Sequence, residues 1–351
     1  MELSDFGTTV GEWLTGDGPE SDIVVSSRIR LARNLADRLF VSRAAPDQLA
    51  DIESQVGTFL RQSDGRFGKL YFRLADLGEV DRYVLVERHL ISREHASPEP
   101  YRAVAASDDE RLSIMINEED HLRMQVLRSG MRLEEAWKEI DGLDTKISGL
   151  FKFAFHPKWG YLTACPTNVG TAMRVSVMLH LPALVLTREI EKVFRAMGKI
   201  NLAVRGLYGE GTQAYGDLYQ ISNQTSLGKP EEKILGNIDS VVPGVIAYER
   251  KARQHILSAT RVETEDRLYR ALGMLKQARL LTSEETMHLL SAVRLGVAVG
   301  TLPKIPPQAI NEIFLLTQPA HLQKLVGRTL SAQERDVERA SFIRNRLAAY
   351  V

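Results

Sequence analysis

Between Asp22 and about Ala247 the chain alternates strand-like and helix-like runs, and the strand-like runs arrive in neighbouring pairs. That order predicts an α+β fold with a largely antiparallel sheet flanked by helices. The expected strands are DIVVSSRIRLA, YVLVERHLI, RLSIMIN, HLRMQVL, YLTACPT, INLAVRG and DLYQISNQ. The expected helices are APDQLADIESQVGTFLRQ, LEEAWKEIDGLDTKI, GTAMRVSVMLHL, LTREIEKVFRAMG and PEEKILGNIDSVVPGVIAYERKARQHIL. After about Ser258 the strand signal ends. Leu268, Leu272 and Leu275 recur at helical spacing, and Thr282-x-x-Glu285 and Ser331-x-x-Glu334 read as capping boxes. GTLPKIPPQ breaks this part into short helices. The expected division is a loose Gly- and Asp-rich lead-in over 1–21, an α+β domain over 22–258 and a small all-α domain over 259–351.

A chain of 351 residues can bury a large core. Its 45 basic and 45 acidic residues cancel. Zero net charge argues against direct nucleic-acid binding or a membrane-surface role, which call for a basic excess. The single cysteine, Cys165, excludes an internal disulfide and a multi-cysteine zinc site. The start MELSDFGTTVGEWLTGDGPE has no basic-then-apolar signal pattern. The most apolar run, VSVMLHLPALVLT, is interrupted by His180 and Pro182 and is too short to cross a bilayer. The expected compartment is the cytoplasm.

Two familiar nucleotide signals fail. Gly209-x-Gly211-x-x-Ala214 loosely matches a dinucleotide fingerprint, but it continues into the strand-like Tyr215–Tyr219 instead of a helix. No G-x-x-x-x-G-K-[ST] and no H-R-D loop is present. The arginines carry more information. Arg28 and Arg30 stand two apart in a strand-like run, so both leave the same face. Arg123, Arg174 and Arg205 lie at the ends of other elements. Singly, each is a surface ion pair by default; together, guanidinium forks suit a polyphosphate, whose oxygens they bind bidentately. Cys165, in CPTNVGT before an expected helix, would feel that helix's N-terminus if functional. Otherwise it is a small buried residue.

IMINEEDHLRMQV sets Glu118, Glu119 and Asp120 beside a His and an Arg between two strand-like runs. Its plainest reading is a solvated acidic turn. Five motifs change that reading. CPTNVGT (165–171), S-S-R-x-R (Ser26–Arg30), N-E-E-D-H-L-R (Asn117–Arg123), R-G-x-x-G-E (Arg205–Glu210) and Y-x-I-S-N (Tyr219–Asn223) occur in one order across residues 22–250. In this the chain resembles the ATP:guanidino phosphotransferases, the phosphagen kinases.

The resemblance implies a phosphagen-kinase-like catalytic domain using ATP, with Mg²⁺ carried on the nucleotide and no protein metal site. It implies an ATP site made of Ser27, Arg28, Ile29, Arg30 and Leu31, of His89 and Arg123, of Arg174, Val175, Ser176, Val177 and Met178, and of Arg205, Gly206, Leu207, Tyr208 and Gly209. Glu119 and Glu210 would hold the guanidinium acceptor. A guanidinium has a pKa above ~12 and is a poor nucleophile until a carboxylate orients it and takes a proton. Only about twenty-five residues precede S-S-R-x-R here, where phosphagen kinases carry a helical domain. That difference, with the added C-terminal helices, is similar to the bacterial protein-arginine kinases. In that branch R-D-x-x-R-A, here Arg335, Asp336, Arg339 and Ala340, binds phosphoarginine allosterically, although the spacing alone also describes a self-paired helix face. The branch implies a homodimer whose C-terminal helices serve regulation or dimerisation. It also implies substrates such as a stress-gene repressor and misfolded proteins, a zinc-finger activator protein, and a Clp ATPase/protease. Two alternatives remain: a kinase of free arginine or another small guanidino compound, and a phosphoarginine-binding adaptor.

Overall fold

The computed structural model describes residues 10–62, 66–67, 69–206 and 214–350. In chain order the elements are β1 (Val24–Arg33), α1 (Pro46–Gln62), β2 (Leu70–Arg73), α2 (Glu79–Glu87), β3 (Ala103–Ala106), β4 (Leu112–Ile116), β5 (Leu122–Ser129) and α3 (Leu133–Ser148). A hairpin of β6 (Phe155–His156) and β7 (Gly160–Tyr161) follows, then β8 (Met173–His180), α4 (Pro182–Leu186), α5 (Ile190–Lys199), β9 (Leu202–Gly206) and β10 (Leu218–Asn223). The remainder is helical: α6 (Glu231–Ala259), α7 (Arg261–Gln277), α8 (Ser283–Ala298), α9 (Pro307–Leu316), α10 (Pro319–Val326) and α11 (Ala332–Leu347).

Eight strands form one sheet in the order β2-β3-β4-β5-β1-β8-β10-β9, and every neighbouring pair is antiparallel. Alternation along the central strands separates two faces. Ile29 and Leu31 of β1, Met124 and Val126 of β5, and Val175 and Val177 of β8 are all buried in the main apolar core. Helices α1, α3, α5 and α6 pack onto that face. The same core continues into the C-terminal helices through Leu268, Leu272, Leu275, Ile313 and Ile343. Of the two expected capping boxes, Ser331–Glu334 is reciprocal, and Thr282 accepts the Glu285 amide at 3.1 Å.

Several expectations are corrected. YVLVERHLI is not a strand: Tyr83–Glu87 ends α2, whose Val84, Leu85 and Val86 are buried under the far strands, and packing overrides the strand preference of the β-branched Val84 and Val86. GTAMRVSVMLHL is not a helix but contains β8, between β1 and β10. An apolar run buried on both faces looks alike as helix or strand. YLTACPT is strand only at Tyr161; Pro166–Asn168 is a single 3₁₀ turn, so the helix expected to influence Cys165 does not exist. Residues 10–20 are not loose. Trp13 and Leu14 are buried, Asn311 Nδ2 donates to Leu14 O at 2.8 Å, and the Glu12 amide donates to Asp109 O at 3.1 Å. Gly18 crosses β5 so closely that a Cβ would lie 2.0 Å from Ser129 O, which requires glycine there.

The last residue of β1 locks the sheet to α3. Arg33, 2% exposed, donates from Nε and Nη2 to Asp144 (3.0 and 2.8 Å) and from Nη1 to Ala32 O and Thr171 O (2.9 and 3.0 Å). Its guanidinium lies over the Tyr161 ring, 3.5 Å from the centroid. Removing one partner of a buried pair strands the other charge. Asp144→Ala should therefore lower the unfolding free energy by about 3–5 kcal/mol. Denaturant titration checks this, and an unchanged midpoint would show the pair to be dispensable.

Candidate active site

The face of the sheet opposite the core is polar and cationic. Arg28 and Arg30 leave β1 on this side. Arg30 stands directly opposite Arg174 of β8, and Arg28 opposite Ser176. Ser176 pairs with Ser222 of β10, and the row Ser26–Met178–Gln220–Arg205 reaches the edge strand β9. On the other side Arg123 of β5 pairs with Ala32, one step beyond the Arg30–Gln125 pair. The structure thus brings all five predicted arginines onto one face.

Their electrostatics are those of crowded, desolvated cations. Burial lowers the Arg28 pKa to about 10, with Arg123 and Arg174 adding repulsion and Glu118 opposing it. Arg30 is pushed well below the ordinary guanidinium value, first by burial and then by Arg28, Arg123 and Arg174. Arg174 is lowered by burial and by Arg205 and Arg123. The Nε atoms of Arg30 and Arg174 are buried without an acceptor among the described residues. Arg174 reaches Ser222 Oγ at 3.1 Å, and Arg28 Nε reaches Gln125 Oε1 at 2.9 Å. Like charges directly opposite in a sheet are destabilising, and buried cations without acceptors are costly. A polyanion would satisfy both requirements at once.

His89 and Trp13 close one end of this face. His89 follows the helix α2 in a left-handed conformation (φ 58°), and its ring meets Trp13 edge-on at 5.1 Å. Burial, then Arg28, Arg30 and Arg93, push the imidazole down to about 3, so it is neutral at physiological pH. Gln125 bridges the two halves, accepting from Arg28 and donating to His89 O and, at 2.7 Å, to Ser113 Oγ. Neither Gln125 nor Trp13 was predicted. Gln125 could have been found from its alternation with Arg123 along β5, whereas Trp13 lies in what reads as a lead-in.

The acidic turn between β4 and β5 sorts its three carboxylates into separate roles. Glu118 is buried, forms a short ion pair with Arg123 and accepts from Ser92 Oγ at 2.5 Å. Burial would raise its pKa, but Arg123, Ser92 and the Glu119 amide outweigh that and hold it low. Asp120 is fully buried and accepts from Asn34 Nδ2 (2.6 Å) and the Ala164 amide (2.8 Å). His121 accepts the Leu35 amide at Nδ1 (3.0 Å), which leaves Nε2–H to donate to Leu39 O (2.9 Å). Glu119 alone is presented outward: 43% exposed, with Arg123 Nη2 3.7 Å away. Partial burial raises its carboxyl above the ordinary value, Arg123 pulls it back, and Asp120 and Glu118 push it up again. Asp120 also tethers the loop of Cys165, whose Sγ lies 3.0 Å from Thr167 Oγ1.

Other predicted residues are placed elsewhere. Ile29, Leu31, Val175 and Val177 point into the apolar core, so their side chains cannot reach a ligand on the cationic face. Ser27 is also on the core side, its hydroxyl donating to Gly130 O (2.7 Å) and accepting from the Arg132 amide (3.1 Å). Ser176 and Met178 lie on the cationic face, and Gly206 ends β9. Leu207, Tyr208, Gly209 and Glu210 lie outside the described residues. In α11, Arg335 lines a cleft of about 820 Å³ between α2, α10 and α11 and donates to Leu330 O at 2.8 Å. Arg339 is 1% exposed and committed inward, to Thr317 O (3.0 Å), Leu281 O (2.7 Å) and Asp336 (2.6 Å). Ala340 is buried beside it. The expected pair of phosphate-holding arginines is therefore one arginine at a cleft and one beneath the surface.

Residues 51–252 match the family ATP:guanido phosphotransferase, C-terminal catalytic domain, and residues 261–350 match the protein-arginine kinase McsB C-terminal domain. A protein-arginine kinase of Symbiobacterium thermophilum is 50% identical over 340 residues, covering 96% of each chain. One from Halothermothrix orenii is 46% identical over 348 residues, covering 99% of each. Among solved structures, the substrate-free duplicated taurocyamine kinase of Schistosoma mansoni superposes with a TM-score of 0.58 at 25% identity, over 71% of this chain and 36% of that one. Lombricine kinase superposes with a TM-score of 0.57 at 26% identity, over 70% of each chain. The chain belongs to the ATP:guanido phosphotransferase family, as an ATP-dependent phosphotransferase of the branch that carries the McsB C-terminal domain.

Proposed function

We propose that the chain is a protein-arginine kinase that transfers the γ-phosphoryl group of ATP to arginine side chains in proteins. The observation that carries this reading is a half-buried arginine cluster in which the Nε atoms of Arg30 and Arg174 lack an acceptor among the described residues, bordered by one exposed carboxylate, Glu119. Near-full-length relatives named protein-arginine kinases support the same acceptor. Arg28, Arg30, Arg123, Arg174 and Arg205 would hold the triphosphate in line, and such charge neutralisation supplies much of phosphoryl transfer. Neutral His89 would border the nucleotide. Glu119, with Glu210 as the second carboxylate, would orient the acceptor guanidinium. An arginine nitrogen then attacks Pγ, an N–P bond forms, the bond from Pγ to the β,γ-bridging oxygen breaks, and ADP leaves with that electron pair. The guanidinium proton passes to Glu119. Among the described residues no group of three or more His, Cys, Asp or Glu converges on a metal position, and the phosphate face is cationic. Mg²⁺ would enter as MgATP, held by phosphate oxygens and water.

The wider setting belongs to the same proposal: bacterial heat-shock regulation and Clp-dependent quality control in the cytoplasm. A stress-gene repressor and misfolded proteins would be substrates, with a zinc-finger activator protein and a Clp ATPase/protease as partners of a homodimer. Phosphoarginine would act at the α11 cleft through Arg335, with Arg339 and Asp336 shaping the cleft from beneath. No helix among the described residues is long and apolar enough to cross a membrane.

Incubation with MgATP and a mixed protein substrate should give acid-labile phosphate on arginine. Turnover of free L-arginine with no labelled protein would sink the protein-kinase reading. Glu119→Gln should lower kcat by about 10²- to 10⁴-fold and leave MgATP affinity within about twofold; an adaptor would be indifferent to this change. Because the ionised carboxylate is the active form and its pKa is raised from 4.5, the acid limb of kcat/KM should fall at a pH above 4.5. A limb at or below the ordinary value would remove Glu119 as the base. Arg30→Met should weaken MgATP binding by about tenfold or more, since a charge-assisted contact is lost. The same change should leave the nucleotide-free protein as stable as before or more so, because it removes a buried, repelled cation. Titration calorimetry and thermal unfolding read the two effects separately.

A further inference from the structure

Resting on the protein-arginine kinase reading, we propose that the β6–β7 hairpin is the docking platform for the acceptor protein. It would take an arginine-bearing segment through an apolar or aromatic side chain close in sequence to the arginine. Two large apolar side chains are displayed there, Phe155 at 57% and Trp159 at 44% exposure. The hairpin is built to hold them out. Phe155 packs edge-on against Tyr161 (5.3 Å), and Tyr161 is fixed from beneath by the buried Arg33 guanidinium. Trp159 is flanked by the Lys158 ammonium, 4.6 Å from its ring centroid, and by His156 at 6.5 Å. The outer side of β7 is bridged to Gly170, with the Tyr161 amide donating to Gly170 O at 2.8 Å.

The root of this hairpin is tied to the turn that carries Glu119. Asn34 Nδ2 donates both to Leu162 O, just beyond β7 (3.1 Å), and to Asp120 Oδ1, next to Glu119 (2.6 Å). The Ala154 amide, just before β6, donates to Asn34 O at 2.8 Å. The Ala164 amide returns to the same Asp120 oxygen at 2.8 Å. One residue thus fastens the aromatic platform to the acceptor turn. The hairpin that displays Phe155 and Trp159 is thereby rooted beside the turn of Glu119, where the neighbours of an arginine bound at Glu119 would lie. Exposed Trp on a preorganised element is the kind of anchor that interfaces favour. Its apolar rings suit a carbon-rich neighbour of the arginine, not a second charged group.

The test uses the full chain, MgATP and two synthetic peptides. One is a Gly-Ser peptide with a single arginine; the other is the same peptide with a phenylalanine a few residues from that arginine. The wild type should phosphorylate the phenylalanine peptide with a KM about tenfold lower, as expected for burial of one aromatic side chain. In Trp159→Ser and Phe155→Ser that preference should vanish, with kcat and the KM for MgATP unchanged, and Trp159→Phe should restore most of it. Equal KM values in the wild type, or a preference that survives both variants, overturn the platform. A change of oligomeric state in Trp159→Ser without a change in peptide KM instead assigns the surface to a second copy of the chain and overturns it too. If neither peptide is phosphorylated, the kinase reading itself fails. Anisotropy of the labelled peptides then decides the platform alone: tighter binding of the phenylalanine peptide that depends on Trp159 supports it, and equal binding overturns it.

Discussion

Arg28, Arg30 and Arg174 stand on one pleated face, with Arg30 and Arg174 directly opposite each other, and the rest of the structure holds them there. Such a cluster is unfavourable by itself, since burial and mutual repulsion both disfavour the charged forms. It persists because the opposite face of the same strands buries Ile29, Leu31, Val175 and Val177. Slipping either strand by one residue would put the arginines into that apolar core. Two roofs close over the cationic face, one where α2 packs on Val104, Ala106 and Met115, the other where Trp13 packs with Leu127, Met178 and Met287. The two roofs meet where the His89 ring packs edge-on against Trp13.

Strand β1 places both halves of the candidate site. Its middle carries Arg28 and Arg30, and its last residue Arg33 and the following Asn34 fix α3, the acidic turn and the hairpin root. The cationic face and the acidic turn therefore share one reference frame. Transfer between two bound groups would be sensitive to small errors in placement, and a common anchor limits them. Within the turn, Glu118 and Asp120 are buried and turned to partners within the fold, whereas Glu119 is the carboxylate left exposed.

The sequence made part of this legible. RIRL within DIVVSSRIRLA and LRMQV within HLRMQVL alternate, so these strands and the faces of Arg28, Arg30 and Arg123 could be read directly. GTAMRVSVMLHL could not, because a strand buried on both sides presents an apolar run with no visible period until Arg174 and Ser176 are seen to share a face. YVLVERHLI failed the other way, its β-branched residues overridden by packing. LYFR and AVAA, four residues each, are too short to signal strands. The ranking of Glu118, Glu119 and Asp120 was carried by the motif and not by the residues, since adjacent carboxylates differ only in which hydrogen bonds the fold gives them. Arg335 and Arg339 show the same limit. Their i, i+4 spacing puts them on one helix face, but that face crosses from a cleft into the core.

That boundary also explains why the C-terminal helices are not an appendage. Glu87, the last residue of α2, accepts the Ala320 and His321 amides at the start of α10 (2.8 and 3.0 Å). Arg88 can only donate, so His321 Nε2 at 3.3 Å is the acceptor and Nδ1–H points to Glu87 Oε2 at 2.6 Å. One tautomer of a buried, neutral histidine satisfies both neighbours; burial lowers its pKa, against the pull of Glu87. Arg88 is in turn held by Glu110 beneath it. The next residue is His89, which meets Trp13 at the end of the arginine face. The cleft lined by Arg335 and the cationic face therefore share a wall, the stretch Glu87–His89. Because the same three consecutive residues form both contacts, a shift of α10 against α2 would act directly on the border of the cationic face.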